Sequence, residues 1–138
     1  MTMPGCRPTG AGCLSLISPC AQRSGILFPM SGDPQIVLCT VPDQESAEQI
    51  AANLVTERLA ACVNIVPGIT SVYRWENRIE KDAEYLLIIK THSAVFDRLQ
   101  DSIKKQHPYE LPEVIAVPIK DGLPEYLDWI STSLVQTQ

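Results

Sequence analysis

The sequence has few of the features that mark membrane proteins or nucleic-acid-binding proteins. None of its apolar runs approaches the roughly 20 residues that a helix needs to cross a bilayer, so we predict no membrane segment. Basic residues are scarce, with 11 Lys and Arg against 16 Asp and Glu, which gives a formal net charge of -5. Nucleic acids and anionic membranes are bound through clustered Lys and Arg, so we expect neither as a partner.

Sequence motifs for catalysis are also missing. A glycine-rich phosphate loop and a Gly-x-Ser-x-Gly nucleophile elbow are both absent from the chain. Cys39 and His107 could act as a nucleophile and a base, but no oxyanion donor or orienting third group can be identified with them. We therefore predict no catalytic residues, no enzymatic activity and no organic cofactor.

The five cysteines do not suggest a disulfide scaffold, because their number is odd and their spacing is not compact. Cys6, Cys13 and Cys20 are evenly spaced but lack the C-x2–4-C pairs of zinc sites. Cys39 and Cys62 fall in strand-like sequence, where a reduced thiol is common in cytosolic proteins. We therefore predict a cytoplasmic protein.

The first part of the chain differs from everything that follows it. Residues 1–33 are rich in Gly, Pro, Ser and Cys and show no hydrophobic period. We predict that residues 1–33 form a disordered leader, or one added to the natural protein, with the natural start near Met30. Residues 34–138 are enough for one domain with a sizeable core.

The centre of that domain is a long hairpin over residues 62–91. Two runs rich in β-branched and aromatic residues flank the polar break Glu76-Asn77-Arg78, which is typical of an antiparallel hairpin. Pro67-Gly68 cannot sit in a regular ladder, so we predict a bulge or bend there. Each arm is roughly twice the usual strand length of about 5–6 residues, so the hairpin would leave exposed strand edges. Natural proteins cover such edges, and another subunit is the simplest cover.

The hydrophobic periods predict the order strand, helix, strand, strand, helix, strand, with an extra helix at the end. Besides the hairpin, we predict two strands: a central strand over 36–41 that is buried on both faces, and a short buried strand over 114–117. We also predict three helices. The first runs from the N-cap Asp43 to about residue 61, the second runs from the cap Ser93 to about residue 105, and the last begins at Pro124. This order is the α+β, ferredoxin-like arrangement, in which both main helices cover one face of a four-stranded antiparallel sheet.

Cys39, His107 and Glu113 are the candidate metal ligands. Cys39 lies near the end of the predicted central strand, and the other two flank a proline-fixed loop that leads into a strand that could neighbour it. Thiolate, imidazole and carboxylate together could hold a transition metal, and the thiolate favours soft ions such as Cu(I). The H-x5-E spacing is not a metal motif by itself, and the alternative for Cys39 is a small buried hydrophobic residue. The other histidine, His92, is predicted to be a surface residue at the start of a helix.

Aromatic and charged residues on the hairpin and the loop are candidates for a ligand cleft. Tyr73 and Trp75 lie on the first arm of the hairpin, Lys90 lies near the end of the second arm, and Tyr109 lies on the proline-fixed loop. Packing in the core or at an interface is the alternative role for the aromatic residues. Lys90 and Glu84 could form a polar floor beneath such a cleft, although solvated strand ends are equally ordinary.

Several short motifs, in this order, resemble those of the CutA family of divalent-cation tolerance proteins. The motifs are CTVPD at 39–43, LAACVNIVPG at 59–68, SVYRW at 71–75, HPY at 107–109, PE at 112–113 and YLDW at 126–129. The resemblance covers residues 35 to about 134. It implies a ferredoxin-like subunit in a tight homotrimer, similar in build to PII signalling proteins, with the long hairpin packed against neighbouring subunits.

The same resemblance implies binding of copper or another divalent metal through a cysteine on the first strand and residues around the His-Pro-Tyr loop. In this chain the matching residues are Cys39, His107 and Glu113. Bacterial members often carry two consecutive histidines before the proline, and here Gln106 stands at the first of these positions. An amide lacks the affinity of imidazole for soft metals, which weakens a copper site at this position.

Two functions are therefore predicted. The first is a trimeric cytoplasmic protein that binds a divalent cation such as copper and contributes to metal tolerance. The second is a PII-like signalling or scaffold trimer that takes a small molecule or a partner in clefts between subunits. Convergence of Cys39, His107 and Glu113 would favour the first function, and an open cleft lined by the hairpin aromatics would favour the second.

Overall fold

The computed structural model describes residues 32–136, so the predicted leader and the start near Met30 fall outside the described residues, apart from Gly32 and Asp33. The described chain forms, in order, β1 (Pro34–Val41), α1 (Gln44–Thr56), β2 (Cys62–Trp75), β3 (Arg78–His92), a 3-10 turn (Ser93–Val95) that leads into α2 (Phe96–Gln106), β4 (Ile115–Pro118) and α3 (Pro124–Ser133). The strands form one antiparallel sheet in the order β2-β3-β1-β4, which confirms the predicted α+β, ferredoxin-like fold. Within this range, no helix is long and apolar enough to span a bilayer.

The two faces of the sheet differ in how completely they are covered. On β1, Val37, Cys39 and Val41 are fully buried, in one cluster with core residues of all three helices. Ile36 and Leu38 point to the opposite face and stay partly exposed, because neighbouring side chains of a strand alternate between faces. The central position of β1 is confirmed. The prediction that both of its faces are buried is wrong for this chain, because the core cluster lies on one side only.

The long hairpin is present with the predicted bulge. β2 has 14 residues and β3 has 15, more than twice the usual strand of about 5–6. Glu76 and Asn77 join the strands with φ angles of 49° and 65°, and a two-residue type I′ turn requires positive values at both positions. The register shifts between Val66 and Ile69, and the glycine of Pro67-Gly68 has a φ of 77°, so the bulge lies at this dipeptide.

Helix α1 begins where the sequence predicts and ends earlier. The carboxylate of Asp43 caps it by accepting a 2.7 Å hydrogen bond from the backbone N–H of Ser46. The predicted extension to about residue 61 is wrong, because Arg58 adopts a φ of 59° and the N–H of Leu59 bonds back to the carbonyl of Leu54 at 2.9 Å. Glycine is the usual marker of this Schellman ending, and an arginine in its place hides the helix end from sequence analysis.

The helical segment after β3 is capped by His92 and not by Ser93. Nδ1 of His92 accepts a 3.3 Å hydrogen bond from the N–H of Ala94. The hydroxyl of Ser93 instead accepts a 2.8 Å hydrogen bond from the N–H of Asp33, which ties the start of the described chain to this turn. His92 is only 3% exposed. The predictions of a Ser93 cap and of a surface His92 are therefore both wrong, because the segment before β1 covers this turn.

Burial of His92 makes the stability of the fold depend on pH. Desolvation lowers the pKa of His92 below its ordinary value of 6.5, and the charge of Asp33 opposes this with a smaller effect. When the pH falls below 6.5, His92 takes up a proton more readily in the unfolded chain than in the folded chain. The free energy of unfolding therefore decreases as the pH falls. We expect urea titrations to show this decrease between about pH 7 and about pH 5, and to show a shallower one for His92→Asn, which keeps a capping side chain. Equal slopes for both proteins would contradict this assignment.

Strand β4 lies at the edge of the sheet. It pairs with β1 alone, from Gln35 opposite Pro118 to Leu38 opposite Ile115, and its four residues are all exposed. The prediction of a buried strand over 114–117 is therefore wrong, because β4 is an edge strand and none of the residues 32–136 covers it. Helix α3 begins at Pro124, as predicted.

Candidate functional site

A cleft lies between the hairpin and the loop that connects α2 to β4. Its volume of about 570 Å³ is in the range of small-molecule sites, roughly 300–1,000 Å³. The residues that line it are Thr40, Ser71, Val72, Tyr73, Trp75, Glu84, Tyr109, Glu110, Leu111 and Glu113. This lining combines three carboxyl groups with three aromatic rings, and none of the described Lys, Arg or His residues belongs to it. The cleft is therefore suited to a ligand that is positively charged or that packs against aromatic rings, and not to an anion.

His107 fixes the loop to the end of β1. It is 8% exposed, and its Nε2 lies 2.7 Å from the carbonyl oxygen of Thr40. Its Nδ1 accepts a 3.0 Å hydrogen bond from the backbone N–H of Tyr109. Because Nδ1 accepts a hydrogen bond, the proton of the neutral imidazole is on Nε2, which donates to Thr40. Both ring nitrogens are thus used to hold the loop in place.

Tyr109 and Glu84 form the inner wall of the cleft. The phenol of Tyr109 donates a 2.7 Å hydrogen bond to Oε2 of Glu84, a side chain that is only 6% exposed. Burial raises the pKa of Tyr109, and the hydrogen bond to Glu84 raises it further. The phenol therefore stays protonated and remains a donor to Glu84. The rings of Tyr109 and His107 are in tilted contact, with centroids 4.9 Å apart.

Tyr73 and Trp75 form the outer wall. They are 41% and 45% exposed, so a large part of each ring is in contact with solvent. The hydroxyl of Tyr73 is hydrogen bonded to the carboxylate of Asp82 on the neighbouring strand, and this bond is the main cause that raises the pKa of Tyr73 to about 12. The bond orients the Tyr73 ring across the hairpin.

Cys39 lies behind the cleft, on the covered face of the sheet. It is fully buried, and its thiol makes a weak 3.8 Å contact with the carbonyl of Thr40. Burial raises the pKa of Cys39 to about 12, with smaller contributions from the charges of Glu113 and Glu84. Metals bind the thiolate form, so a metal ion at this position has to displace a firmly held proton.

Two of the three predicted metal ligands adjoin Thr40 and the third lines the same cleft, but the three do not form a ready coordination group. Cys39 precedes Thr40 in β1, His107 bonds to its carbonyl, and Glu113 lines the cleft together with it. Among residues 32–136, no group of three or more His, Cys, Asp and Glu side chains is arranged to hold a metal ion. The ligand set Cys39, His107 and Glu113 stays a prediction.

The aromatic residues that the sequence singled out for a cleft line this one, whereas Lys90 does not. Lys90 shares a strand face with Glu84 but lies six residues further along β3, which is roughly 20 Å in an extended strand. It is paired with Ile36 and Cys62, near the far end of the hairpin. Only Glu84 of the suggested polar floor therefore belongs to the cleft.

Several of the residues that line the cleft were not predicted from the sequence. Ser71 lies on the same face of β2 as Tyr73 and Trp75, so the two-residue period of a strand could have identified it. Glu110 lies in an irregular loop, where no period exists to indicate which side chains face the hairpin. Thr40 looked like an ordinary strand residue, and only its contact with the loop gives it a role.

The fold and the motifs match a known protein family. A family model described as CutA1 divalent ion tolerance protein matches residues 35–133. The chain belongs to the CutA1 family. The match contains the first strand from its second residue, the whole hairpin and the loop that holds His107, so every residue that lines the cleft lies within the family domain.

Individual CutA1 relatives are similar in sequence and in structure. The divalent-cation tolerance protein CutA of Thermus thermophilus is 53% identical over 96 residues, which cover 70% of this chain and 93% of that protein. The rice protein CutA 1, chloroplastic, is 51% identical over 98 residues, which cover 71% of this chain and 55% of the rice protein. A solved structure of the Thermus protein matches with a TM-score of 0.73 and 50% identity, and the match covers 74% of this chain and 99% of that one.

The names of CutA1 relatives place them in more than one compartment. The rice protein is called chloroplastic, and a solved CutA structure from Archaeoglobus fulgidus is called periplasmic. The family alone therefore does not determine a compartment, and the cytoplasmic location stays a prediction.

Proposed function

We propose that this protein binds divalent cations as a homotrimer in the cytoplasm and contributes to metal tolerance, without catalysing a reaction. The observation that carries the proposal is the family match over residues 35–133, because the family is described by divalent ion tolerance and not by a reaction.

Cys39, His107 and Glu113 are the proposed ligands for a soft ion such as copper. Their common neighbour Thr40 supports this assignment, because two of them contact its carbonyl and the third shares the cleft lining with it. Binding at these residues requires loss of the Cys39 proton and of one hydrogen bond of His107. We therefore expect metal binding to be coupled to opening of the loop and to become stronger as the pH rises.

A copper titration tests the proposed ligands. We expect one copper ion per chain in the full-length protein in which the three leader cysteines are serine, and at least about tenfold weaker binding for Cys39→Ser or Glu113→Gln in that background. Cys62→Ser is the matched control, because Cys62 lies at the start of β2 and should bind copper as before. The leader cysteines are removed because they could bind copper themselves; they are Cys6, Cys13 and Cys20. Equal binding by Cys39→Ser, or no binding by the parent protein, would overturn the assignment.

The open face of the sheet supports the homotrimer. Leu38 pairs with Ile88 on one side and with Ile115 on the other, so these three side chains lie together on the face of the sheet that none of the described helices covers. Leu38 and Ile88 are only partly buried, and Ile115 is exposed. A contiguous apolar surface of this kind marks an interaction site, and symmetric association of identical chains is its commonest use.

A second candidate function is PII-like binding of a small molecule in the cleft. It is favoured by one observation: a space of about 570 Å³, with exposed aromatic rings, is far larger than a single metal ion requires. A crystal structure of the assembled protein provides the test. A cleft that remains open in the assembly would support this function, and a cleft filled by side chains of a neighbouring subunit would exclude it.

A further inference from the structure

We infer that the cleft binds an organic ammonium ion, held between the rings of Tyr73 and Trp75 and the carboxyl groups of Glu84 and Glu113. This inference rests on the second candidate function, small-molecule binding in the cleft, and adds the charge and the chemical class of the ligand. It does not involve Cys39 or His107 as ligands.

The size of the cleft and the lack of a metal-binding cluster among the described residues favour an organic cation over a bare metal ion. Coordination of Ca²⁺ or Mg²⁺ needs several oxygen ligands at about 2.0–2.6 Å from one point. Within residues 32–136 no three acidic, His or Cys side chains converge in this way, although Glu84, Glu110 and Glu113 all line the cleft. An alkylammonium ion is held by diffuse contacts with aromatic faces and nearby negative charge, so it does not need ligands that converge on one point.

Glu84 is a buried carboxyl group without a cationic partner in the described part of the chain. Only its Oε2 has a hydrogen-bond partner there, the neutral hydroxyl of Tyr109. The Glu84 residue is 94% buried as a whole, and carboxyl groups in such surroundings are usually paired with a positive group. Arg78 and Glu80, at the tip of the hairpin, form the one ion pair found among residues 32–136. A cation in the cleft would supply the positive charge that Glu84 lacks.

The aromatic rings of the cleft complement this charge. Tryptophan and tyrosine faces attract cations within about 6 Å of the ring centre, and rings combined with a carboxylate are the usual recognition site for alkylated ammonium groups. Tyr73 and Trp75 line the cleft with much of their ring surface exposed, and Tyr109 lies against Glu84.

Trp75 fluorescence can test the inference in the full-length protein. The chain has two tryptophans, so Trp129→Phe leaves Trp75 as the sole reporter. The probes are tetramethylammonium ion and tert-butanol, which has nearly the same size and no charge. We expect a saturable fluorescence change with tetramethylammonium and at least about tenfold weaker binding of tert-butanol. Glu84→Gln should weaken tetramethylammonium binding about tenfold, and the matched control Glu125→Gln, an exposed position on α3, should leave it unchanged.

The possible outcomes separate the preference for an ammonium ion from the small-molecule binding on which it rests. Equal binding of both probes would keep the small-molecule cleft and overturn the preference for a cation. No saturable response to either probe would overturn both. Tetramethylammonium binding that is unchanged by Glu84→Gln would overturn the assignment to this wall. Glu113→Gln changes an exposed side chain that also lines the cleft and gives the same test if Glu84→Gln fails to fold.

Discussion

Replacement of His107 with alanine is expected to lower the free energy of unfolding by about 2–4 kcal/mol. The imidazole bonds at once to the carbonyl of Thr40 and to the N–H of Tyr109, and it is almost fully buried. Alanine lacks the imidazole, so the carbonyl of Thr40 and the N–H of Tyr109 each lose their hydrogen-bond partner. Each buried polar group left without a partner costs about 1–3 kcal/mol. Urea titration followed by circular dichroism measures the change.

Two conservative variants separate the two hydrogen bonds of His107. Asparagine can still accept from the N–H two residues ahead, as in an Asx turn, but it is too short to reach Thr40. Glutamine can reach the Thr40 carbonyl with its amide N–H but loses the local turn. We expect each variant to lose about half of the alanine effect, roughly 1–2 kcal/mol. An alanine variant as stable as the parent protein would show that His107 does not hold the loop and would leave it free for metal binding.

The substitution Ile88→Asp is expected to convert the proposed homotrimer into monomers. Ile88 lies on the open face of the sheet, opposite Leu38 on β1 and Asn64 on β2. A threefold assembly through this face would bring three introduced carboxylates into a desolvated contact, at a cost of several kcal/mol for each. Sedimentation equilibrium should show a fall from three chain masses to one, and circular dichroism should show that the fold remains.

Leu123→Asp is the matched control for the loss of assembly. It makes the same change of charge at an apolar residue that is 67% exposed. Leu123 lies just before α3, whose buried residue Ile130 belongs to the core cluster on the covered face. We expect its mass to equal that of the parent protein. A parent protein that sediments as a monomer, or an Ile88→Asp variant that keeps the parent mass, would contradict assembly through this face.

The fold was predictable wherever local chemistry decides the backbone. Alternating β-branched residues, the turn at Glu76-Asn77 and the Pro67-Gly68 bulge specify the hairpin without tertiary information. The errors arise where distant segments decide the outcome. Arg58 ends α1 in a left-handed backbone conformation, which an arginine does not indicate in a sequence. His92 is buried because Asp33 and its neighbours cover the turn.

Many residues of the candidate site could be named from the sequence, but their arrangement in space could not. The residue types at Tyr73, Trp75 and Tyr109 indicated a cleft, and the motif match indicated Cys39 and His107. The direction of each side chain depends on the pairing register of β1 and on the loop position, which brings Tyr109 to Glu84 across 25 residues of sequence. Strand alternation then places Cys39 on the covered face, although its neighbour Thr40 lines the cleft.

Anomalous X-ray diffraction from copper-soaked crystals of the full-length protein tests the central claim most directly. The account predicts a copper peak in each subunit next to Thr40, within bonding distance of the Cys39 sulfur and of either His107 or Glu113, in crystals that contain a threefold assembly. Data collected above and below the copper edge identify the metal. Full soaking with no copper peak near Thr40, or with peaks only at surface residues remote from these three side chains, would contradict the claim.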